Sequence, residues 1–495
     1  MIKGHEGGLL AGLDDIDWAK LHHAYGSAHD FPGQLRLVCC DDEDLRKSAW
    51  LHLFNTIFHQ GSRYTSSAAA VPFFARIARS GPGHARPTAL HMLTRLAVDW
   101  HDAYTLPAGI DTATWRALAA ENTPERMAAW YEGRLAAEND PERRSILKEA
   151  RDFCLEGGTP DSHASTLPSY DAVRTELRNL YPLMEDPDPE IRVRTAYLLA
   201  WFPEEGARTI PHLMACLDRE QHTQARATAL VAAGLVGDHS LLPRLRPYLS
   251  VPEPLVRWAA ATALARLLTT GSSPDAGGEE LVARVIEELT QAATTPPSAP
   301  DVPEAVYNGG DLRGYAARAL APLAVHASHP VLPVIMDALS ADTAVAAEAV
   351  IAALAGAFPG EAPPGTVPFA ALNAGTQHIL RCVARRGPWD QYETPVENCL
   401  RDLRLPDNRA ALSEYVHPAD STPSPHATPC HPGRRCRQPL GPVDGPPQIL
   451  PEPAWGESCP ALWDRAPHSA RMAGCDRTPC PCWADPARTV LTQKP

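Results

Sequence analysis

The chain has 495 residues, with 45 Lys and Arg against 59 Asp and Glu, for a formal charge of −14 with His neutral. That acidic balance argues against general binding to a phosphate backbone, which calls for a basic face, although a local basic stripe is still allowed. No run approaches the ~18 apolar residues of a membrane span. The opening Met1-Ile2-Lys3-Gly4-His5-Glu6 has neither the basic nor the apolar region of a secretory signal, so a cytoplasmic location is the expectation.

In chain order, residues 1–34 read as a short helical lead-in ending at Phe31-Pro32-Gly33, and residues 35–105 as the first two or three helix pairs. Together they form an N-terminal region, 1–105. An apolar helix, Trp50 to Phe58, runs into His59-Gln60-Gly61-Ser62-Arg63-Tyr64, where Gly61 suits the residue just past a helix end. This stretch has two readings. One is a terminal cap, since end units of a stack must be atypical to seal it. The other is a partner-binding corner, with His59, Gln60, Arg63 and Tyr64 offering hydrogen bonds and aromatic area. Val71-Pro72-Phe73 is expected to open the next helix, and Arg86 follows Pro72 in a second helical stretch.

Residues 106–170 read as an irregular, charged helical insertion that ends near Gly157-Gly158-Thr159-Pro160. Ser145-Ile146-Leu147-Lys148 matches the S-x-x-K nucleophile motif, but no S-D-N or K-T-G partner follows, and its charged surroundings read as a solvated helix face. Phosphate-cradling glycine loops and H-E-x-x-H are absent from the sequence.

The main repeats occupy residues 171–270. Pro211 and Pro243 open apolar stretches as Pro72 does, and Arg226 and Arg257 follow them at nearly the interval that separates Pro72 from Arg86. The steps from Arg192 to Arg226 and from Arg226 to Arg257 are likewise similar, each thirty-odd residues long. Two helices in a unit of that length is the signature of an all-α solenoid. Proline suits the first helical position because its missing N–H has no partner there anyway. In the clearest unit Asp188 can cap, Pro189 can take the first position, and Glu190 adds charge at the positive end of the dipole. The abundant alanines allow close helix approach. The recurrence of Arg192, Arg226 and Arg257 points to contacts between units rather than to a ligand. Residues 271–303 read as a loop-rich insertion, and 304–416 as degenerate pairs that include Leu312-Arg313-Gly314-Tyr315 and Leu332-Pro333-Val334.

The second-helix pattern D-x-D/P-x-x-V-R-x-x-A-A-x-A-L, followed by I-P-x-L at the next first helix, resembles the HEAT repeat family. The resemblance is specific over 171–270 and looser over 35–100 and 304–358. Asp17-Trp18-Ala19-Lys20-Leu21-His22-His23-Ala24-Tyr25-Gly26, with Phe58 to Tyr64 and Ala70 to Phe74, also looks like a group of actinobacterial HEAT-repeat proteins of no established activity. The resemblance implies a non-catalytic scaffold with a protein partner. The acidic charge and the lack of a long apolar run add the expectation of no membrane and no nucleic acid, and a monomer without cofactor is expected. Minorities of the family act on DNA bases or on bilins. A glycosylase-like alternative would use Trp100-His101-Asp102, Trp115, Trp130 and Trp201 as base-stacking platforms.

From residue 417 to 495 helical periodicity stops, and proline, arginine and cysteine take over. Such a tail is expected to be disordered. Its composition matches out-of-frame reading of GC-rich DNA, an origin that an intact in-frame gene would exclude. Cys430, Cys436, Cys475, Cys480 and Cys482, with His426, His431 and His468, fit zinc-site spacings poorly, so no metal is expected. Cys39, Cys40, Cys154, Cys216, Cys382 and Cys399 read as packed thiols in a reducing compartment.

Overall fold

The computed structural model describes residues 6–99, 109–155, 162–270, 278–298, 312–326 and, with short gaps, 350–358 and 368–417. Residues 12–30 form less helix than expected. After a turn of helix, α1 (Glu6–Leu9), and a 3-10 turn at Trp18–Lys20, two short strands pair antiparallel: β1 (His22–His23) and β2 (Gly26–Ser27), with His23 opposite Gly26. Gly26 has φ 114, which only glycine adopts without strain, so the turn belongs to a hairpin. Trp18 is buried and stacks on Phe31 at 4.3 Å, while its indole N–H donates to the Leu13 carbonyl at 2.8 Å.

Helix pairs follow. After α2 (Phe31–Leu37) and α3 (Glu43–Ile57) come α4 (Thr65–Ser80) and α5 (Arg86–Ala97). An excursion then runs through α6 (Thr112–Glu121), α7 (Pro124–Ala137) and α8 (Pro141–Leu155) before the stack resumes with α9 (Ser162–Leu180) against α4 and α5. Beyond it lie α10 (Pro189–Leu199), α11 (Gly206–Arg219), α12 (Thr223–Val236), α13 (Leu242–Leu245) and α14 (Pro254–Thr269). Next come α15 (Gly278–Thr294) and α16 (Leu312–Leu320), then α17 (Ala374–Arg386), α18 (Pro395–Asp402) and α19 (Arg409–Val416). The second helices α5, α10, α12, α14 and α16 pack in series, with α4, α9, α11 and α15 beside them. The fold is an all-α solenoid of stacked helix pairs. Its core is continuous from Leu13 to Val416 and buries Trp201, Trp258, Tyr170 and Phe202. Full burial of side chains this large contributes about 1.5–3 kcal/mol each.

Several expected boundaries shift. Pro189 does take the first helical position, with Asp188 accepting from the Glu190 amide at 2.9 Å. Pro243 is second in α13. Pro72 and Pro211, however, lie inside α4 and α11 rather than at their starts. Local capping wins there: Tyr64 N–H donates to Ser67 Oγ at 2.8 Å one turn ahead of the apolar run, and a 3-10 turn at Pro203–Glu205 feeds directly into α11. Each interior proline removes one rung of the helix ladder. Pro333 and the tail, from residue 418 onward, lie outside the described residues. The single helix α9 crosses the expected boundary at 170 and packs on α4, α5 and α6. Likewise α15, expected within a loop-rich insertion, packs between α14 and α16 as the first helix of the next pair.

The recurring arginines reach the chain ahead of their own helices and, at some joints, the next unit. Arg192, Arg226 and Arg257 each stand fourth in their helix and reach back to a carbonyl just ahead of its start. Arg192 Nη1 donates to Asp186 O at 2.7 Å, Arg226 Nε to Glu220 O at 3.0 Å, and Arg257 Nη1 to Val251 O at 3.0 Å. Forward contacts bind successive units. Arg86 pairs with Asp186, Arg192 makes a two-pronged contact to Glu220 at 2.7 and 2.9 Å, and Arg257 meets Glu288 at 3.0 Å. Burial disfavours the Glu220 carboxylate. The Arg192 fork and the amides of Gln221 and His222 more than offset that and hold its pKa below the ordinary value. Asp186, Glu220 and Val251 all occupy the same place just before a helix start, so valine replaces an acid at the third joint. Arg226 accordingly makes no carboxylate contact among the described residues. At that joint α12 and α14 approach closely instead: a Cβ on Gly234 would lie 2.5 Å from the Ala263 Cα. Arg313 in turn donates to the Thr294 carbonyl at 3.1 Å.

Candidate functional site

The corner between α3 and α4 is built on unusual backbone. Helix α3 ends at Ile57, earlier than expected, so Gly61 is not its terminal glycine. A 3-10 turn at His59–Gly61 follows, with Gln60 at φ 50 and Gly61 at φ 88. A side chain at Gly61 would also meet Asp99 Oδ2 at 3.2 Å. For Gln60, the left-handed conformation costs roughly 1–2 kcal/mol. Strain of this kind persists only where surrounding structure enforces it.

That structure is the β1–β2 hairpin, which lies along α3 and the start of α4. Ala24 N–H donates to Thr56 O at 3.0 Å, His22 N–H to Thr65 Oγ1 at 2.8 Å, and Ser66 Oγ to His22 O at 2.8 Å. The hairpin places Tyr25 against His59, with rings edge to face at 5.3 Å and the hydroxyl 3.4 Å from Nδ1. Tyr25 is 66% exposed. Burial pushes the His59 pKa below its ordinary value, so the ring is neutral near pH 7.

A polar cluster supports the hairpin. Tyr25 N–H donates to His23 Nδ1 at 3.0 Å, which leaves the proton on Nε2, donating to Asp30 Oδ1 at 3.0 Å. His52 Nε2 donates to Asp30 Oδ2 at 2.7 Å. Burial raises the Asp30 pKa, but these two hydrogen bonds outweigh it and leave the carboxyl below its ordinary value. The tautomer gives His23 no lone pair on the carboxylate side. The set is therefore a hydrogen-bonded clasp rather than a group of metal ligands.

The four sequence candidates divide. Gln60 is exposed and His59 is half-buried against Tyr25. Arg63 turns inward: it is buried, with Nη1 donating to Gly61 O at 2.6 Å, 3.6 Å from Asp99 Oδ2, and its guanidinium over the Phe58 ring at 5.3 Å. It fixes the strained turn from within. Tyr64 is half-buried and leads into α4 through its bond to Ser67. Tyr25 and His52 are not among the sequence candidates. Both depend on a hairpin whose only local sign is Ala24-Tyr25-Gly26-Ser27.

Among the described residues, Trp115, Trp130 and Trp201 sit in separate packing environments. Trp115 is buried edge-on to Tyr170 at 5.9 Å, and Trp201 is fully buried against Tyr197 at 5.6 Å. Trp130 joins a separate small core of Met127, Ala128, Tyr131 and Cys154 between α7 and α8. Trp100, His101 and Asp102 lie outside the described residues. Ser145 Oγ is 3.5 Å from Glu149 Oε1, not bonded to Lys148. Burial pushes the Cys39 and Cys216 thiols up to about 11, a range in which thiols are unreactive. The cysteine cluster of the tail lies outside the described residues.

Among the described residues, no helix is long and apolar enough to cross a membrane. No curated protein matches the chain. One solved structure, titled as the crystal structure of an engineered protein, is 17% identical and covers 79% of this chain and 97% of its own, with a TM-score of 0.28. That likeness carries no argument. Residues 210–306, from within α11 past the end of α15, match the family model for HEAT repeats.

Proposed function

We propose that the chain is a non-catalytic scaffold that binds a protein partner through the N-terminal end of its stack, at Tyr25, His59 and Gln60. The observation that carries this reading is a contrast in how polar groups are used. In the repeats, Arg192 and Arg257 are spent on carbonyls and carboxylates inside the stack. At the N-terminal corner, a strained turn and a hydrogen-bonded clasp hold an aromatic ring and a neutral imidazole at the surface. HEAT repeats commonly serve as protein-interaction scaffolds, and the match over 210–306 supports that class. A charge of −14 weighs against nucleic acid as the partner.

The test is affinity capture with the full chain from lysate of the native host, with and without nuclease. A stoichiometric protein retained after nuclease supports the reading. Retention that vanishes with nuclease contradicts it.

A further inference from the structure

We propose that the outward face of α3, continued by Tyr25 and His59, is a docking surface for a basic amphipathic helix of a partner protein. The proposal rests on the interaction reading above and deepens it. Helix α3 buries Ala49, Trp50, Leu53, Thr56 and Ile57 on its inner side. Its other side exposes Asp44, Leu45, Ser48 and Leu51, while His52 turns to Asp30. End units of a solenoid normally turn a polar face to water. Here Leu45 and Leu51 are each 49% exposed and Tyr25 is 66% exposed, which makes three of the six large hydrophobic side chains exposed among the described residues.

The spacing has the form of a helix seat. Leu45, Ser48 and Leu51 form one i±3 ridge, with a small residue between two bulky ones. Leu45 and Leu51 are about 9 Å apart along the axis at 1.5 Å per residue. The notch at Ser48 therefore accepts one apolar side chain of a crossing helix.

Charge selects the partner. The N-terminal end of α3 carries Asp41, Asp42, Glu43 and Asp44 against Arg46 and Lys47. Glu43 is paired to Lys47 at 2.7 Å and Asp42 caps the helix through the Leu45 amide, whereas Asp41 and Asp44 make no ion pair among the described residues. Lys or Arg on the incoming helix would neutralise them, and an Arg could also stack on the exposed Tyr25 ring.

The test is selection of a displayed library of helical peptides on the full chain. Enriched clones should be net basic, with apolar residues at i, i+3 or i+4, and i+7. The double variant Leu45→Gln/Leu51→Gln should bind them at least tenfold more weakly, and Asp44→Lys should weaken the basic clones selectively. A control pair on α8, Ile146→Gln/Phe153→Gln, should leave binding unchanged. Acidic clones, clones indifferent to the Leu45/Leu51 change, or no enrichment would overturn the proposal. So would self-association of the chain that this change abolishes, since the occupant would then be a second copy. A native-host partner still captured by the double variant would overturn this assignment while leaving the interaction reading intact.

Discussion

The middle of the stack and its N-terminal end use the same residue types to opposite effect. In α10, α12 and α14 an arginine is folded back onto its own helix start, in α10 and α14 it also meets a carboxylate of the next unit, and most other side chains are buried. At α3 and the β1–β2 hairpin, large apolar and aromatic side chains face water while histidines brace the backbone behind them. The comparison teaches where recognition can reside. A repeat whose polar groups are consumed by stacking has little left to offer a partner, whereas the region around α3, with Tyr25, Leu45 and Leu51 exposed, has more.

The largest expected effect lies in the middle. Gly234→Ala would place a methyl 2.5 Å from the Ala263 Cα, and relieving that overlap requires the α12 and α14 backbones to part. The expected loss is ~3 kcal/mol or more, at the upper end for overpacking because backbone rather than a flexible side chain must move, and it outweighs the helix-propensity gain of about 1 kcal/mol. Urea denaturation reads it, and a more stable variant would show that the joint has room to spare.

Arg192→Ala comes next. It strands Glu220, which is 4% exposed at its side chain, and should cost about 3 kcal/mol, near the lower end for a broken buried pair. Arg226→Ala loses only bonds to a backbone carbonyl, so about 1 kcal/mol is expected. Neither change should alter partner affinity. A binding defect in Arg192→Ala with an unchanged melting temperature would place that arginine at a binding surface instead.

Acid gives a smaller, graded effect. Burial, with Arg95 and Arg194 nearby, holds the His91 pKa well below its ordinary 6.5. The unfolded chain therefore takes the proton first. The stability tied to a neutral His91 is complete above pH 6.5 and falls as pH drops below it. His59 and His84, also depressed by burial, add in the same direction. Melting temperature followed from pH 7.5 to 5.5 should decline, and His91→Gln should flatten the slope. An identical slope in the variant would remove His91 from the account. The smallest effect is expected for Val251→Glu, which restores an acid at the position held by Asp186 and Glu220. A gain of up to about 1 kcal/mol that disappears in Arg226→Ala is the signature of a completed ladder.

What is legible in the sequence follows from range. Helix pairs and the arginine recurrence are local patterns repeated at fixed spacing, so Arg192 and Arg257 can be read as contacts between units without coordinates. Pro72 and Pro211 mislead because the proline preference for a helix start is also local, and the capping by Ser67 and the 3-10 lead into α11 override it. The site is half legible. His59 and Gln60 stand out as a polar break after an apolar helix. Tyr25, which packs on His59, lies far earlier in the chain and reaches it only through a hairpin with one glycine as its signal. Arg63 reads as a surface group because composition does not distinguish an arginine pointing outward from one folded under a strained turn.

Amide hydrogen exchange of the full chain, measured with and without its captured partner, tests the central claim most directly. The account predicts the slowest exchange in α12 and α14 in both states. It also predicts new protection on partner binding confined to residues 22–62. Protection appearing instead along α10, α12 and α14, with 22–62 unchanged, would contradict it.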